Sequence, residues 1–277
     1  MQVLQTIAQV REARLAFPRL GLVPTMGFLH AGHLSLVERA QRECGAAAVT
    51  IFVNPTQFSP SEDLDRYPRD MPRDMRLLGE AGVNFVFTPQ AMEIYPPDFD
   101  TSIDVGGVAR VLEGAVRPVH FAGVATVVAK LFNIVQPTRA YFGQKDAQQC
   151  VVIRRLVRDL DIPVEIVIGE TVREDDGLAL SSRNSYLTPE QRAAATVLYR
   201  ALCVARDEFA AGERDADRLR AIMTTALLTE PSGQIDYVSV AHPDTLAELG
   251  AIAGEALASM AVRFGPTRLI DNLILRP

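Results

Sequence analysis

Leu20-Gly21-Leu22-Val23-Pro24-Thr25-Met26-Gly27-Phe28-Leu29-His30-Ala31-Gly32-His33 is the stretch on which the reading of this 277-residue chain turns. Residues 20–23 are apolar and read as a buried strand. The strand is expected to end at Pro24, which has no N–H for a ladder bond. Leu34 and Val37, then Leu36, Ala40 and Cys44, recur three and four residues apart, the spacing of one helix face. Gly27 and Gly32 in the connection permit tight turns and close backbone approach. A helix that begins near Gly32 aims free N–H groups and the positive end of its dipole at the loop. An anion binds well in such a place. His30 and His33 flank it and both are able to donate hydrogen bonds, which suits a phosphate that gains negative charge during reaction. Two structural histidines, or two metal ligands, are the plainer alternatives. A metal needs further ligands, and the other histidines, His120 and His242, stand in unrelated contexts.

The same alternation continues outward. Apolar runs at 46–53, 84–87, 139–142 and 164–168 read as strands. Helical spacing occupies 72–81, 122–136 and 146–160. Strands alternating with helices imply βαβ units and a parallel sheet, whose ligands bind beyond the carboxyl ends of the strands. After residue 169 the pattern changes. Thr188 reads as an N-cap with Pro189 at the first position of a long helix. A helix at 215–228 and strands at 234–240, 256–263 and 268–275 follow. The expected fold is α/β: a Rossmann-like, doubly wound parallel sheet over 1–169, with a smaller α+β domain over 170–277 that closes over the nucleotide.

Composition excludes several classes. The net charge of −6 argues against a nucleic-acid partner, which usually demands a basic excess. The N-terminus lacks a basic region followed by an apolar core, so no signal peptide is expected. The richest apolar stretch, 122–135, is interrupted by Lys130 and is too short to span a bilayer. Cys44, Cys150 and Cys203 have no metal-ligand spacing and read as small buried hydrophobes in a reducing cytoplasm.

Other chemistry-bearing motifs follow strand ends. In Tyr141-Phe142-Gly143-Gln144-Lys145-Asp146, Lys145 is able to neutralise phosphate and Asp146 to accept from ribose hydroxyls. Gln149 lies one helical turn beyond Lys145 on the same face. In Leu180-Ser181-Ser182-Arg183-Asn184, two hydroxyls beside an arginine make a phosphate clamp. In Phe52-Val53-Asn54-Pro55-Thr56-Gln57-Phe58, Gln57 offers an uncharged donor and acceptor, suited to a hydroxylated substrate. Each motif also fits an ordinary polar turn.

The loop at 24–33 resembles the HxGH signature of the nucleotidylyltransferase superfamily. The six motifs together, in order from Pro24 to Asn272 and including Arg117…His120-Phe121-Ala122-Gly123-Val124 and Arg263-Phe264-Gly265…Thr267-Arg268-Leu269-Ile270-Asp271-Asn272, resemble the pantothenate synthetase family. Phe28 stands where that family commonly has a small residue, and Gln144 where it usually has Glu.

The resemblance implies condensation of pantoate with β-alanine, with ATP and Mg²⁺, through pantoyl adenylate. It implies a cytoplasmic homodimer built on the larger domain. Its implied roles are as follows. His30 and His33 donate to the phosphates. Met26, Gln57 and Gln149 hold pantoate and β-alanine, with Met26, Gly27 and Gly32 also lining the nucleotide loop. Gly143 and Asp146 meet the ribose, and the Val172 backbone meets adenine. Gln144, Lys145, Leu180, Ser181, Ser182 and Arg183 surround the triphosphate, with Lys145, Ser181 and Arg183 taking part in catalysis. Arg117 is expected near phosphate or carboxylate, and Asp74 on the metal side. No dedicated protein metal site is expected, because Mg²⁺ is held mainly by ATP oxygens and water. The rivals are a nucleotidylyltransferase that stops at its adenylylated product, a tRNA synthetase, and a non-catalytic ATP sensor. The short chain and acidic balance weigh against the second, and the complete motif set against the third.

Overall fold

The alternation of apolar runs and helical spacing is realised in a parallel sheet in the computed structural model, which describes residues 1–60 and 62–277. Its strands are β1 (Gln2–Leu4), β2 (Gly21–Thr25), β3 (Ala47–Ile51), β4 (Phe85–Phe87), β5 (Arg139–Gly143) and β6 (Glu165–Gly169). They lie in the order β1-β4-β3-β2-β5-β6, and every neighbouring pair is parallel. The intervening helices are α1 (Ile7–Arg14), α2 (Ala31–Cys44), α3 (Met71–Glu80), the short α4 (Ala91–Ile94) and α5 (Glu113–Val116), α6 (His120–Val135) and α7 (Ala147–Asp159). Side chains alternate across the strands, as a period of two requires. Leu22, Ala48, Phe85, Phe87, Ala140 and Phe142 enter one core with α1, α6 and α7. Val23, Ala47, Val49, Val86, Tyr141 and Val167 enter the other with α2 and α3. The sheet is therefore covered on both faces, the doubly wound arrangement expected from the sequence.

Pro24 does not end its strand. β2 continues to Thr25, with Pro24 opposite Thr50 of β3. Alternate residues of a parallel strand bond to opposite neighbours. Thr25 accepts from Phe52 on the β3 side, so Pro24 faces the β5 side. Pairing with β5 covers only Gly21 and Leu22, so the missing N–H falls where no ladder bond is required. β1 and α1, which the sequence reading did not assign, add an edge strand beside β4 and a helix capped by Thr6 and Gln9.

The chain divides into two compact units, 1–143 with 148–170, and 144–147 with 171–277. The second contains α8 (Pro189–Ala194), α9 (Val197–Ala210) and α10 (Ala216–Leu227). Its antiparallel sheet is formed by β7 (Gly233–Ala241), β8 (Ala256–Phe264) and β9 (Thr267–Leu275), in that order. Leu198, Leu202, Leu219, Met223, Met260 and Phe264 fill its core. Thr188 caps α8 with a reciprocal bond to Gln191, but the single long helix expected there is two, broken at Ala195 and Thr196. Cys44 and Cys150 are buried, whereas Cys203 on α9 is only half-buried. Among the described residues, no helix is long and apolar enough to cross a membrane.

Candidate active site

β2 and β5 are neighbours in the sheet, although β3 and β4 come between them in sequence. Strand order reverses at this pair, and the crevice beyond their carboxyl ends is where such sheets bind ligands. The loop leaving β2 begins with Thr25, whose hydroxyl donates to the Thr50 carbonyl at 2.7 Å and accepts from the Gly27 N–H at 3.2 Å. Gly27 and Phe28 then adopt φ of 84° and 51°. Glycine tolerates this conformation, but an aromatic residue is strained in it.

Asp74 on α3 holds the strained turn. It accepts from the Phe28 N–H at 2.7 Å with one oxygen and from the Leu29 N–H at 2.8 Å with the other. Arg73 donates to the Leu29 carbonyl at 2.9 Å, and its guanidinium lies 5.5 Å from the Phe28 ring centre. Asp74 is buried. Burial raises its pKa above the ordinary value, and the two N–H bonds and Arg73 offset this only in part. Both oxygens are engaged under the loop, where they support backbone.

α2 starts directly after this turn, with His30 at its N-cap. The His30 N–H donates to Nδ1 of His33 at 3.3 Å. In a neutral His33 the proton must then lie on Nε2, which makes that nitrogen a donor. The two imidazole rings are 4.0 Å apart, centre to centre. Helix N-terminus, glycine turn and histidine pair thus coincide.

Gln57 is held nearby by a chain of bonds. It ends the short 3₁₀ turn Pro55–Gln57, whose cap is Asn54. Tyr95 donates to Oδ1 of Asn54 at 2.8 Å, and Nδ2 of Asn54 donates to Oε1 of Gln57 at 3.0 Å and to the Gly123 carbonyl at 3.2 Å. Nε2 of Gln57 meets the Met26 sulfur at 3.3 Å, a weak acceptor. This brings Met26 and Gln57 together and leaves a hydrogen on Nε2 for a ligand. A Cβ on Gly123 would stand 2.5 Å from the Thr56 carbonyl oxygen. Only glycine lets α6 approach this turn so closely.

His120, also on α6, bonds through Nδ1 to the Gln57 carbonyl at 3.0 Å. A carbonyl accepts, so Nδ1 carries the proton. Burial, aided by the Arg117 charge, lowers the pKa of His120 to about 4. Arg117 is itself ion-paired with Glu62. Burial raises the Glu62 pKa, but Ser59 and Arg117 outweigh it and the net direction is down. The Arg117 charge is thus matched within the protein. Gln149 lies half-exposed in the first turn of α7. Its neighbour Gln148 is buried and ties Val108, Val111 and Glu113 together. Gly143 ends β5, and a Cβ there would meet open space.

The second unit assembles the other motifs. Lys145 sits in the single turn Gln144–Asp146, with Nζ 3.5 Å from Asp146. Ser181 caps the turn Ser182–Tyr186 and accepts from the Arg183 N–H at 3.3 Å. Asn184 closes this turn on the Ala179 carbonyl at 3.0 Å. The Leu180 N–H donates to the Val172 carbonyl at 3.0 Å, making a hairpin-like return. Lys145, Ser181, Asn184 and Asp271 line one small cavity. Among the described residues, no three His, Cys, Asp or Glu side chains gather to hold a metal.

A doubly wound sheet with histidines at a helix N-terminus beyond the switch-point strand, joined in one chain to a lysine and a serine-rich turn, is the equipment of an ATP-using ligase. The profile of the family described as pantoate-beta-alanine ligase matches residues 2–274, and the chain belongs to that family. The pantothenate synthetase of Chloroflexus aurantiacus is 65% identical over 276 residues, covering 99% of this chain and 98% of the relative. The pantothenate synthetase of Gluconobacter oxydans is 57% identical, over 99% and 100%. The crystal structure of pantothenate synthetase from Thermus thermophilus superposes with a TM-score of 0.96 at 51% identity and full coverage of both chains. That of pantoate-beta-alanine ligase from Francisella tularensis, complexed with beta-gamma ATP and beta-alanine, gives 0.80 at 32% identity, over 99% and 97%. The protein is a pantothenate-forming ligase that condenses pantoate with β-alanine.

Proposed function

We propose that the condensation runs through an acyl adenylate formed at the His30–His33 loop. An oxygen of the pantoate carboxylate attacks the α-phosphorus of ATP, and the bond from that phosphorus to the pyrophosphate oxygen breaks. The β-alanine amine then attacks the acyl carbon and loses a proton. AMP leaves and pantothenate remains. The side-chain roles are orientation and charge stabilisation, which supply large accelerations without covalent catalysis.

The observation that carries this reading is the His30–His33 pair at a helix N-terminus, where the bond from the His30 N–H to Nδ1 places the proton of a neutral His33 on Nε2. His30 and His33 donate to the phosphates as charge develops, and Gly27 and Gly32 let the nucleotide approach the backbone. Gln57 and Gln149 hold the hydroxyl and carboxylate oxygens of pantoate beside Met26. Gly143 leaves room for the ribose, which Asp146 binds. The Val172 carbonyl already accepts from Leu180, so its N–H is the group offered to adenine. Lys145, Ser181, Ser182 and Arg183 take the triphosphate. The Ser181 oxygen accepts from the Arg183 N–H, and its hydroxyl hydrogen is the group offered to phosphate. Gln144 and Leu180 border this group. Arg117, matched by Glu62, fits substrate positioning better than direct neutralisation.

Mg²⁺ enters this reading with ATP and neutralises triphosphate charge. The engaged oxygens of Asp74 fit a metal held by phosphates and water. We further infer a cytoplasmic homodimer formed through the larger unit, which light scattering tests. The central experiment measures AMP release with pantoate and β-alanine omitted in turn, together with pantoate-dependent exchange of pyrophosphate into ATP. Exchange that needs pantoate but not β-alanine supports the adenylate. Exchange without pantoate, or AMP release without β-alanine, overturns it.

A further inference from the structure

The segment Arg268-Leu269-Ile270-Asp271-Asn272 on β9 marks the family, yet the mechanism above assigns it no task. Its last two residues are polar and buried, Asp271 at 2% and Asn272 at 4% exposure. Buried polar groups are kept where their bonds are fully used.

Asn272 uses every part of its amide. Nδ2 donates to the carbonyls of Gln144 at 3.0 Å and Lys145 at 2.8 Å. Oδ1 accepts from Nε2 of Gln144 at 3.1 Å. The two carbonyls fix which way the amide faces, so Oδ1 is turned to the side chain of residue 144. Glutamine meets it with a donor. A glutamate there would set a carboxylate against an oxygen.

Asp271 anchors the base of this clasp. Its oxygens receive the Arg173 guanidinium at 2.6 and 2.8 Å, and Oδ1 also accepts the Asn272 N–H at 2.8 Å. Arg173 is stacked 4.0 Å from the Tyr199 ring centre and donates to the Gly177 carbonyl at 3.0 Å. The backbone that carries Lys145 is thus fixed from one side by a side chain whose own backbone is fixed from the other.

We propose that Asn272 is a positioning residue for Lys145, acting through the backbone carbonyls of residues 144 and 145, and that Gln144 completes the same clasp. The inference rests on the reading of Lys145 as a triphosphate contact. Asn272 touches no reacting atom. It sets where the lysine amine stands, and a displacement of about 1 Å costs on the order of 100-fold in rate.

The test compares Asn272→Asp, Lys145→Ala and the double variant in pantoate-dependent ATP–pyrophosphate exchange, with folding followed by circular dichroism. Asn272→Asp keeps size but replaces both donors by acceptors. The expected result is a folded protein whose exchange rate falls about 10- to 100-fold, with KM for pantoate within twofold of the parent. In the Lys145→Ala background the same substitution adds little, because the group it positions is gone. A purely structural role gives losses that multiply. Multiplying losses, or a folded Asn272→Asp protein with parental exchange, overturn the proposal. Parental exchange in Lys145→Ala overturns the role of Lys145 instead and so separates the two readings. If Asn272→Asp does not fold, Gln144→Met decides, since it leaves Asn272 and the backbone in place. A loss of about threefold or more that vanishes in the Lys145→Ala background supports the clasp, and a parental rate refutes it.

Discussion

Asparagine at position 74 separates loop support from stability. Asp74 accepts the Phe28 and Leu29 N–H groups with different oxygens, at 2.7 and 2.8 Å. An asparagine has one acceptor, so one N–H must face an NH₂ group. A hydrogen bond to a charged group contributes about 1.5–3 kcal/mol, and a buried N–H left unmatched costs about 1–3 kcal/mol. Phe28, at φ 51°, carries about 1–3 kcal/mol of strain that this support offsets. The lost support is as large as the strain, so the turn relaxes and His30 and His33 shift. A shift of about 1 Å lowers adenylation about 100-fold.

Stability moves differently. Burial holds the folded-state pKa of Asp74 above its ordinary value. A carboxyl raised in this way stabilises the fold in its protonated form, below its unfolded pKa. That contribution is lost as pH rises through the folded-state value. A neutral side chain at this position carries no such pH dependence and escapes the burial penalty on the charge. Asp74→Asn is expected to lose turnover while its loss of stability in urea at pH 7.5 stays smaller than the loss of rate, because relief of the burial penalty offsets part of the lost support. Pantoate-dependent pyrophosphate exchange and urea unfolding measure the two effects. Parental exchange in this variant, or a loss of stability as large as the loss of rate, refutes the reasoning.

Three further outcomes are expected. His33→Ala loses an oxyanion donor worth about 2.7–4 kcal/mol, so kcat falls on the order of 10²–10³ while circular dichroism is unchanged. His120 has a pKa lowered to about 4, so only the unfolded state gains its proton between about pH 6.5 and 4. Stability is then lost as pH falls, by about 2 kcal/mol from pH 7.5 to 5. His120→Gln removes that part of the slope in urea titrations at the two pH values. Gly123→Ala places a methyl 2.5 Å from the Thr56 carbonyl oxygen and moves the Gln57 turn. It is expected to cost about 1–3 kcal/mol of stability and to raise KM for pantoate in steady-state assays.

The sequence made the sheet legible because residues buried on both faces form continuous apolar runs, as in 20–23 and 46–53. Pro24 misled because a missing N–H matters only on the side where a partner strand runs, and sidedness is not written in composition. The break between α8 and α9 falls in Ala-Ala-Thr, which has no strong stop signal. Residue type made His30, His33 and Lys145 candidates, and the structure sets the histidines at the start of α2 and the lysine in the turn after β5. The bonds from Asp74 to the Phe28 and Leu29 N–H groups were not legible, because a carboxylate that supports backbone and one that faces a cation have the same local sequence. Asn54 and Tyr95 act by orienting Gln57, and their link across 41 residues is invisible to local pattern. Gln148 and Gln149 could be told apart only by which one points inward.

The Lys145 carbonyl bonds to a side chain 127 residues further along the chain. Contacts of such separation close late in folding, because the loop entropy is lost before the contact repays it. A refolding chain therefore regains most of its far-ultraviolet signal while the lysine turn is still unclasped. Recovery of pyrophosphate exchange is therefore expected to lag behind recovery of secondary structure, with closure of the Asn272 clasp as the late step.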